Sequence, residues 1–316
     1  MKIAILDAAT LGSDLDLSVF DSLGEVFIYP TTSPDEMAKR VADADVLIVN
    51  KIRCNEETLS AAKHLRLICV AATGYDNIDI AYCRAKGIAV SNVIGYSTDS
   101  VAEVTVAMVL SLLTHLGEYN EYVKGGAYSA NKAANAVSPF YHELRGKTWG
   151  IYGFGNIGKR VAAVAEAFGA RVLVCKRTPA SGYDCVSLDE LCRASDILTV
   201  HTPLNAETRL SLNRERLAMM KKGSILVNVA RGAVTDEGAV AEAVLSGHLG
   251  GFGCDVYAKE PLEAEHPYQA LFDLPNVILT PHMAWGAREA RERCADEIKQ
   301  NIEAFLRGEE RNRVDK

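Results

Sequence analysis

The sequence predicts an α/β protein built from two doubly wound parallel sheets with a cleft between them. Three observations carry that expectation. Short apolar runs alternate with helix-like segments almost throughout the 316 residues, the pattern of parallel strands joined by crossovers. The alternation is interrupted once, by a long helical stretch and an aperiodic one between residues 99 and 147. It then restarts at "TWGIYGFGNIG" (148–158), where an apolar strand runs into a glycine-rich turn.

In the first third, "KIAIL", "EVFIY", "DVLIV", "RLICVAA" and "IAVSNV" read as strands. Between the third and fourth, "NEETLSAAKHL" reads as a helix opened by Asn55 with a glutamate close behind. A helical pattern runs from about Asp99 to Lys124 and stops at Gly125 and Gly126. Residues 127–147 show no clear period and include Pro139, so they read as a loop or arm. The second set of strands is "TWGIYG", "RVLVC", "DILTVH", "SILVNVA", "GGFGCDV" and "NVILTP", and a last amphipathic helix, roughly 286–307, ends at Gly308.

Hydrophobic residues make up 48% and charged residues 24%, the balance of a globular chain. A net charge of −7 argues against a nucleic-acid partner, which would want a basic face. "MKIAILDAAT" reads as a strand rather than a signal peptide. The longest apolar stretch, "VTVAMVLSLL" (104–113), is too short to span a bilayer. The expectation is a soluble cytoplasmic protein with no membrane partner. Eight scattered cysteines without a C-x-x-C pair read as reduced buried thiols, with no metal site.

The glycine-rich turn is the first feature with chemistry. Gly153-Phe154-Gly155-Asn156-Ile157-Gly158 follows an apolar strand, opens an alanine-rich helix and precedes a second strand, the context a dinucleotide-binding loop requires. Gly153 permits the tight turn, Gly155 lets the backbone approach a pyrophosphate, and Gly158 lets helix and strand pack closely. An acidic residue ending the second strand would bond the ribose hydroxyls and repel a 2′-phosphate. Here the strand ends at Cys175, followed by Lys176, Arg177 and Thr178, which would do the opposite. The reading is NAD(P), with NADP(H) slightly favoured. The alternative is that both basic side chains face solvent.

Three further residue types stand after strands of the second half. Arg231 follows "VNVA", Asp255 and Glu260 follow "GGFGC", and His282 follows "NVILTP". Reducing a 2-oxo acid needs a guanidinium to hold the carboxylate and polarise the carbonyl, which suits Arg231. It also needs a proton donor that titrates near neutrality, which suits His282, and a carboxylate to orient that imidazole, which suits Glu260. Each has a plain alternative: a surface ion pair, a turn residue, a loop cap. Their joint occurrence after a nucleotide loop favours the chemical reading.

These motifs resemble the D-isomer-specific 2-hydroxyacid dehydrogenase family. The resemblance runs through "GFGNIG", "DILTVHTPLNAETRLSLN", "MKKGSILVNVARGAVTDEGAV", "GGFGCDVYAKEP" and "NVILTPHMAW". It reaches the first lobe in "VAATGYDNIDI" and "VSNVIGYSTDSVAE". It implies a flavodoxin-like substrate domain from residues 1–98 and 286–316, with a Rossmann cofactor domain, 99–285, inserted into it. Crossing segments near 99 and 285 would act as a hinge, and residues 100–147 would form much of a homodimer interface. The resemblance assigns Arg231, Glu260 and His282 to catalysis and places Asp255 near the nicotinamide. His201, Thr202 and Pro203 would line the cofactor, with Asn156, Ile157, Thr208, Val229 and Ala230 on the same path. The backbone at Thr73, Gly74 and Tyr75 would meet the substrate carboxylate.

The chain departs from the family pattern at Ile94-Gly95-Tyr96-Ser97, at Val104 where a histidine is usual, and at Lys51 where many members carry arginine. Lys51 is therefore a candidate substrate contact. Trp285 is either a pocket wall or hinge packing. "GYSTDS" and "HMAW" resemble the glycerate dehydrogenase and hydroxypyruvate reductase members, so hydroxypyruvate and glyoxylate are the leading substrates. Larger 2-oxo acids (pyruvate, 2-oxoisocaproate, phenylpyruvate) are the alternative, and a nucleotide-sensing protein like the family's corepressors is the rival from another class.

Overall fold

The computed structural model describes residues 1–178 and 181–316. The chain divides into two compact units, Met1–Ser97 with Trp285–Lys316, and Thr98–Ala284. The second is therefore inserted in the sequence of the first, and each crossing falls one residue before the expected 98/99 and 285/286.

The first unit carries strands β1 (Lys2–Ile5), β2 (Glu25–Ile28), β3 (Val46–Val49), β4 (Leu67–Val70) and β5 (Ala89–Ser91). They pair in parallel in the order β2-β1-β3-β4-β5, a doubly wound arrangement whose direction of winding reverses between β1 and β3. Side chains alternate across the sheet. Ile3, Ile5, Ile48 and Cys69 face one core, and Ala4, Leu6, Leu47 and Ile68 face another, as a sheet buried on both sides demands. Helices α1 (Pro34–Val41), α2 (Glu56–Leu59) and α3 (Ile80–Ala85) contribute Met37, Val41, Leu59 and Cys83 to the second core.

The helix opened by Asn55 is shorter than its sequence suggests. Asn55 caps it by accepting from the Thr58 N–H at 3.1 Å, but α2 ends at Leu59, and the Ala62 N–H returns to the Leu59 carbonyl as a tighter turn.

The second unit opens with α4 (Thr98–Thr114), α5 (Leu116–Lys124) and α6 (Ala127–Asn131). The continuous helix expected over 99–124 is broken at His115, whose φ of 53° is left-handed, and the two pieces meet at 64°. The stretch read as a loop or arm contains α6. No single helix among the described residues is long and apolar enough to cross a membrane.

Strands β6 (Thr148–Tyr152), β7 (Arg171–Cys175), β8 (Asp184–Cys185), β9 (Ile197–Val200), β10 (Ser224–Asn228), β11 (Leu249–Cys254) and β12 (Val277–Leu279) follow. They pair in parallel in the order β12-β11-β10-β9-β6-β7-β8. Helix α7 (Asn156–Ala167) packs against α4 on one side, while α8 (Leu188–Ala194), α9 (Arg214–Met219) and α10 (Glu237–Leu245) cover the other. The final helix, α11 (Arg288–Leu306), belongs to the first unit, where Ala290, Cys294, Ile298 and Ile302 complete the core on the Ile3 and Ile5 face. All eight cysteines carry free thiols, and burial pushes those of Cys54, Cys69 and Cys294 up to about 12.

Candidate active site

The glycine-rich turn lies where the larger sheet reverses its winding, after β6 and beside β9, the place where open parallel sheets take ligands. Gly153 has a φ of 97°, and a methyl added there would overlap the backbone of His201 and Thr202 at the end of β9. Only glycine meets both demands. Its N–H donates to the Cys175 carbonyl at 2.9 Å, tying the turn to the end of β7.

Gly155 is the N-cap of α7 and supplies no side-chain cap. A methyl on it would meet nothing within 4 Å. The positive end of the helix thus opens onto space, which suits a pyrophosphate. His201 adds a second feature that suits a bound group. Both its ring nitrogens are buried without a partner, and burial holds its pKa down to about 3, so the imidazole is neutral with an unpaired donor and acceptor. These residues fit a dinucleotide.

No carboxylate ends β7. Cys175 and Lys176 are half-buried, and Arg177 and Thr178 are exposed. Thr202 is buried and Pro203 exposed. Thr208 uses its hydroxyl to close its own loop, donating to the Pro203 carbonyl at 2.7 Å and accepting from the Asn205 N–H at 2.8 Å. Val229 and Ala230 follow β10 and directly precede Arg231.

Arg231, Glu260 and His282 follow β10, β11 and β12, three adjacent strands. Fully buried Asn228 shapes the arginine turn: its amide donates to the Arg231 carbonyl at 3.0 Å and its oxygen accepts from the Ala230 N–H at 3.0 Å. Glu260 Oε2 and His282 Nδ1 are 2.7 Å apart, and Glu260 Oε1 accepts from the Tyr257 N–H at 3.1 Å. His282 holds a left-handed φ of 55°, a conformation that costs energy and is held in place by its surroundings.

Asp255 does much of that holding. It is 1% exposed. One oxygen accepts from the Thr280 hydroxyl at 2.6 Å and the Met283 N–H at 2.8 Å, and the other from the Ala284 N–H at 2.9 Å. The resemblance implies a place beside the nicotinamide. In this structure the carboxylate is committed to the loop that carries His282.

In the first unit, Lys51 follows β3 at the point where winding reverses. The buried carboxylate of Asp7, after β1, accepts from the N–H groups of Asn50, Lys51 and Ile52, the shortest at 2.6 Å from Lys51. Burial pushes the Asp7 carboxyl up, and those backbone donors pull it back. Asn77 donates to the Ile52 carbonyl at 2.7 Å and so joins this loop to the one carrying Thr73, Gly74 and Tyr75. Thr73 donates to the Val93 carbonyl, and Tyr75 is exposed. Trp285 packs edge-on against Tyr96 with centroids 6.2 Å apart.

A family model described as D-isomer specific 2-hydroxyacid dehydrogenase, NAD binding domain, matches residues 106–284, more than half of the chain. The chain belongs to the D-isomer-specific 2-hydroxyacid dehydrogenases. It is similar, at 36% identity over the whole of both chains, to a hydroxypyruvate reductase of Blautia hydrogenotrophica. It is similar at 36% identity to a glycerate dehydrogenase of Methylorubrum extorquens, with 99% of each chain covered. A solved structure, an acyclic imino acid reductase (Bsp5) in complex with NADPH and D-Arg, superposes with a TM-score of 0.89 at 29% identity, covering 99% of this chain and 100% of that one.

As a member of this family, the protein is an NAD(P)-dependent oxidoreductase acting on the CH–OH group of 2-hydroxy acids. The dehydrogenase's Asp7, Asn77 and Asn228 are absent from the residues singled out in its sequence. The signal was thin: a lone Asp after "KIAIL" and two ordinary asparagines. Their importance comes from bonds to loops that sequence spacing does not reveal.

Proposed function

We propose that the enzyme reduces hydroxypyruvate or glyoxylate to the D-2-hydroxy acid, with Arg231, Glu260 and His282 as the catalytic set. The observation that carries this is the 2.7 Å pairing of His282 with Glu260 on the strand next to Arg231. The names of the 36%-identical relatives support the choice of substrate. When bound, the nicotinamide supplies the hydride that reaches C2. Gly153 and Gly155 would let the turn and the N-terminus of α7, with Asn156 and Ile157, hold the pyrophosphate, while Gly158 lets α7 pack close to the turn. His201, Thr202, Pro203, Thr208, Val229, Ala230 and Asp255 lie along the remainder of the cofactor path.

Arg231 binds the substrate carboxylate and polarises the carbonyl. Glu260 fixes the proton on His282 Nδ1, so Nε2 is the atom that delivers a proton to the developing alkoxide. Lys51 and the backbone at Thr73, Gly74 and Tyr75 are further contacts for the carboxylate. Lys176, Arg177 and Thr178 favour NADP(H) slightly over NAD(H), because no carboxylate ends β7 to repel a 2′-phosphate.

The protein acts as a cytoplasmic homodimer through residues 100–147. Leu116 (63%), Val137 (65%) and Phe140 (80%) are exposed apolar side chains in that stretch.

Initial rates with hydroxypyruvate, glyoxylate, pyruvate, 2-oxoisocaproate and phenylpyruvate, each with NADH and with NADPH, test the reading. The highest kcat/KM is expected with the first two. A preference for the branched or aromatic acids overturns the substrate, and no turnover with any of them overturns the enzyme assignment in favour of a nucleotide-sensing role.

A further inference from the structure

The turn that carries Glu260 rests on a second carboxylate–imidazole pair. Successive amides of Tyr257 and Ala258 point to two different glutamates. The Tyr257 N–H donates to Glu260 at 3.1 Å, and the Ala258 N–H donates to Glu237 Oε1 at 2.8 Å. The other oxygen of Glu237 lies 2.9 Å from His266 Nε2. His266 Nδ1 accepts from the Tyr268 N–H at 3.1 Å, which leaves Nε2 as the protonated nitrogen that donates to Glu237.

His266 is buried and Glu237 is half-buried, their side chains 6% and 14% exposed. They belong to segments far apart in sequence, the first turn of α10 and the stretch after β11. Beneath the same turn, a methyl on Gly232 would overlap the backbone of Tyr257 and Ala258. The residue next to Arg231 and the residues before Glu260 therefore touch backbone to backbone.

We infer that Glu237, held by His266, is a positioning residue that fixes the Tyr257–Glu260 turn and so sets the distance between Glu260 and His282. The inference rests on the proposed roles of Glu260 and His282. Glu237 touches neither reacting atoms nor cofactor in this account. It acts through two successive backbone amides, those of Tyr257 and Ala258, each of which donates to one of the two carboxylates. A carboxylate on a charge-assisted bond to a backbone amide holds a loop more firmly than water does, and small displacements of a proton-transfer pair reduce turnover steeply.

The test is a mutant cycle on the full chain, with kcat and KM for hydroxypyruvate under saturating NADPH. Cofactor Kd is followed by fluorescence titration and Tm by circular dichroism. Glu237→Ala should lower kcat by roughly 10- to 50-fold while KM and cofactor Kd change by less than about threefold. Glu237→Gln and His266→Gln, which each lose one bond of the chain, should give smaller losses of a few fold. In a Glu260→Gln background the Glu237→Ala change should cost less than about twofold, since the group it positions is already gone.

An equal loss in both backgrounds, or an unchanged kcat, overturns the inference and leaves Glu237 as a general structural residue. If Glu237→Ala does not fold, the same cycle run with Glu237→Gln and His266→Gln decides. A Glu260→Gln enzyme with unchanged kcat is a different failure: it removes the catalytic role of Glu260, and the positioning role falls with it.

Discussion

His282 Nδ1 lies 2.7 Å from Glu260 Oε2, although 22 residues separate them in the chain. The two side chains stand on the loops that follow neighbouring parallel strands, so the sheet brings those loops side by side and the turn before Glu260 sets the final spacing. His282→Ala should reduce kcat by roughly a hundredfold or more, the usual share of a general acid. Cofactor affinity, measured by fluorescence titration, should stay within about twofold. Turnover equal to that of the parent enzyme would remove His282 from the mechanism.

Gly232→Ala forces a methyl into the backbone of Tyr257 and Ala258. Overpacking of this kind costs about 1–3 kcal/mol, and here the strain falls between Arg231 and the turn that leads to Glu260. The expected result is a lower urea midpoint together with a disproportionate loss of kcat/KM. A variant with wild-type kinetics would show that the turn has room to yield.

Arg177→Asp places a carboxylate beside the end of β7, where this chain has none. NADPH should then bind much more weakly, by roughly tenfold or more for one reversed charge contact, while NADH affinity is unchanged or improved. Equal weakening of both cofactors would return Lys176 and Arg177 to a role in solvent.

His201 should make the protein acid-sensitive. Its folded pKa is lowered to about 3 from 6.5, so below pH 6.5 the unfolded state binds a proton that the folded state refuses. The stability associated with the neutral imidazole is fully present above pH 6.5 and is lost as pH falls toward 3, by about 1.4 kcal/mol per pH unit. Urea denaturation between pH 7 and pH 4 should show that one-proton slope in the parent and its absence in His201→Gln. Parallel curves for the two proteins would contradict the burial of this ring.

Most strands were legible because each is a short apolar run bounded by polar residues, and a doubly buried parallel strand has little else it can be. β8 was not: Asp184 and Cys185 are both exposed, so no hydrophobic run marks it. The break at His115 was missed because helical periodicity continues on both sides of it, and only the residue's left-handed backbone interrupts it. Residue chemistry identified Arg231, Glu260 and His282, since few side chains can do their work. Their supports were harder to read: Asn228 and Glu237 were not singled out, and Asp255 was read only as a neighbour of the nicotinamide. All three act through hydrogen bonds to specific backbone atoms, and no periodicity records which way a side chain turns.

The last helix has a consequence for synthesis. Ile298 and Ile302 of α11 complete the core beneath Ile3 and Ile5 of β1, which is made well before the inserted unit. While the nascent chain is being extended, the Thr98–Ala284 unit has every one of its own elements in hand, but the first sheet must wait with one apolar face only partly covered, by Leu11 and Phe20, until α11 emerges. The middle of the gene is therefore free to reach its final form before the beginning does, and the exposed early strands are the part of the newborn chain that most needs protection from other chains.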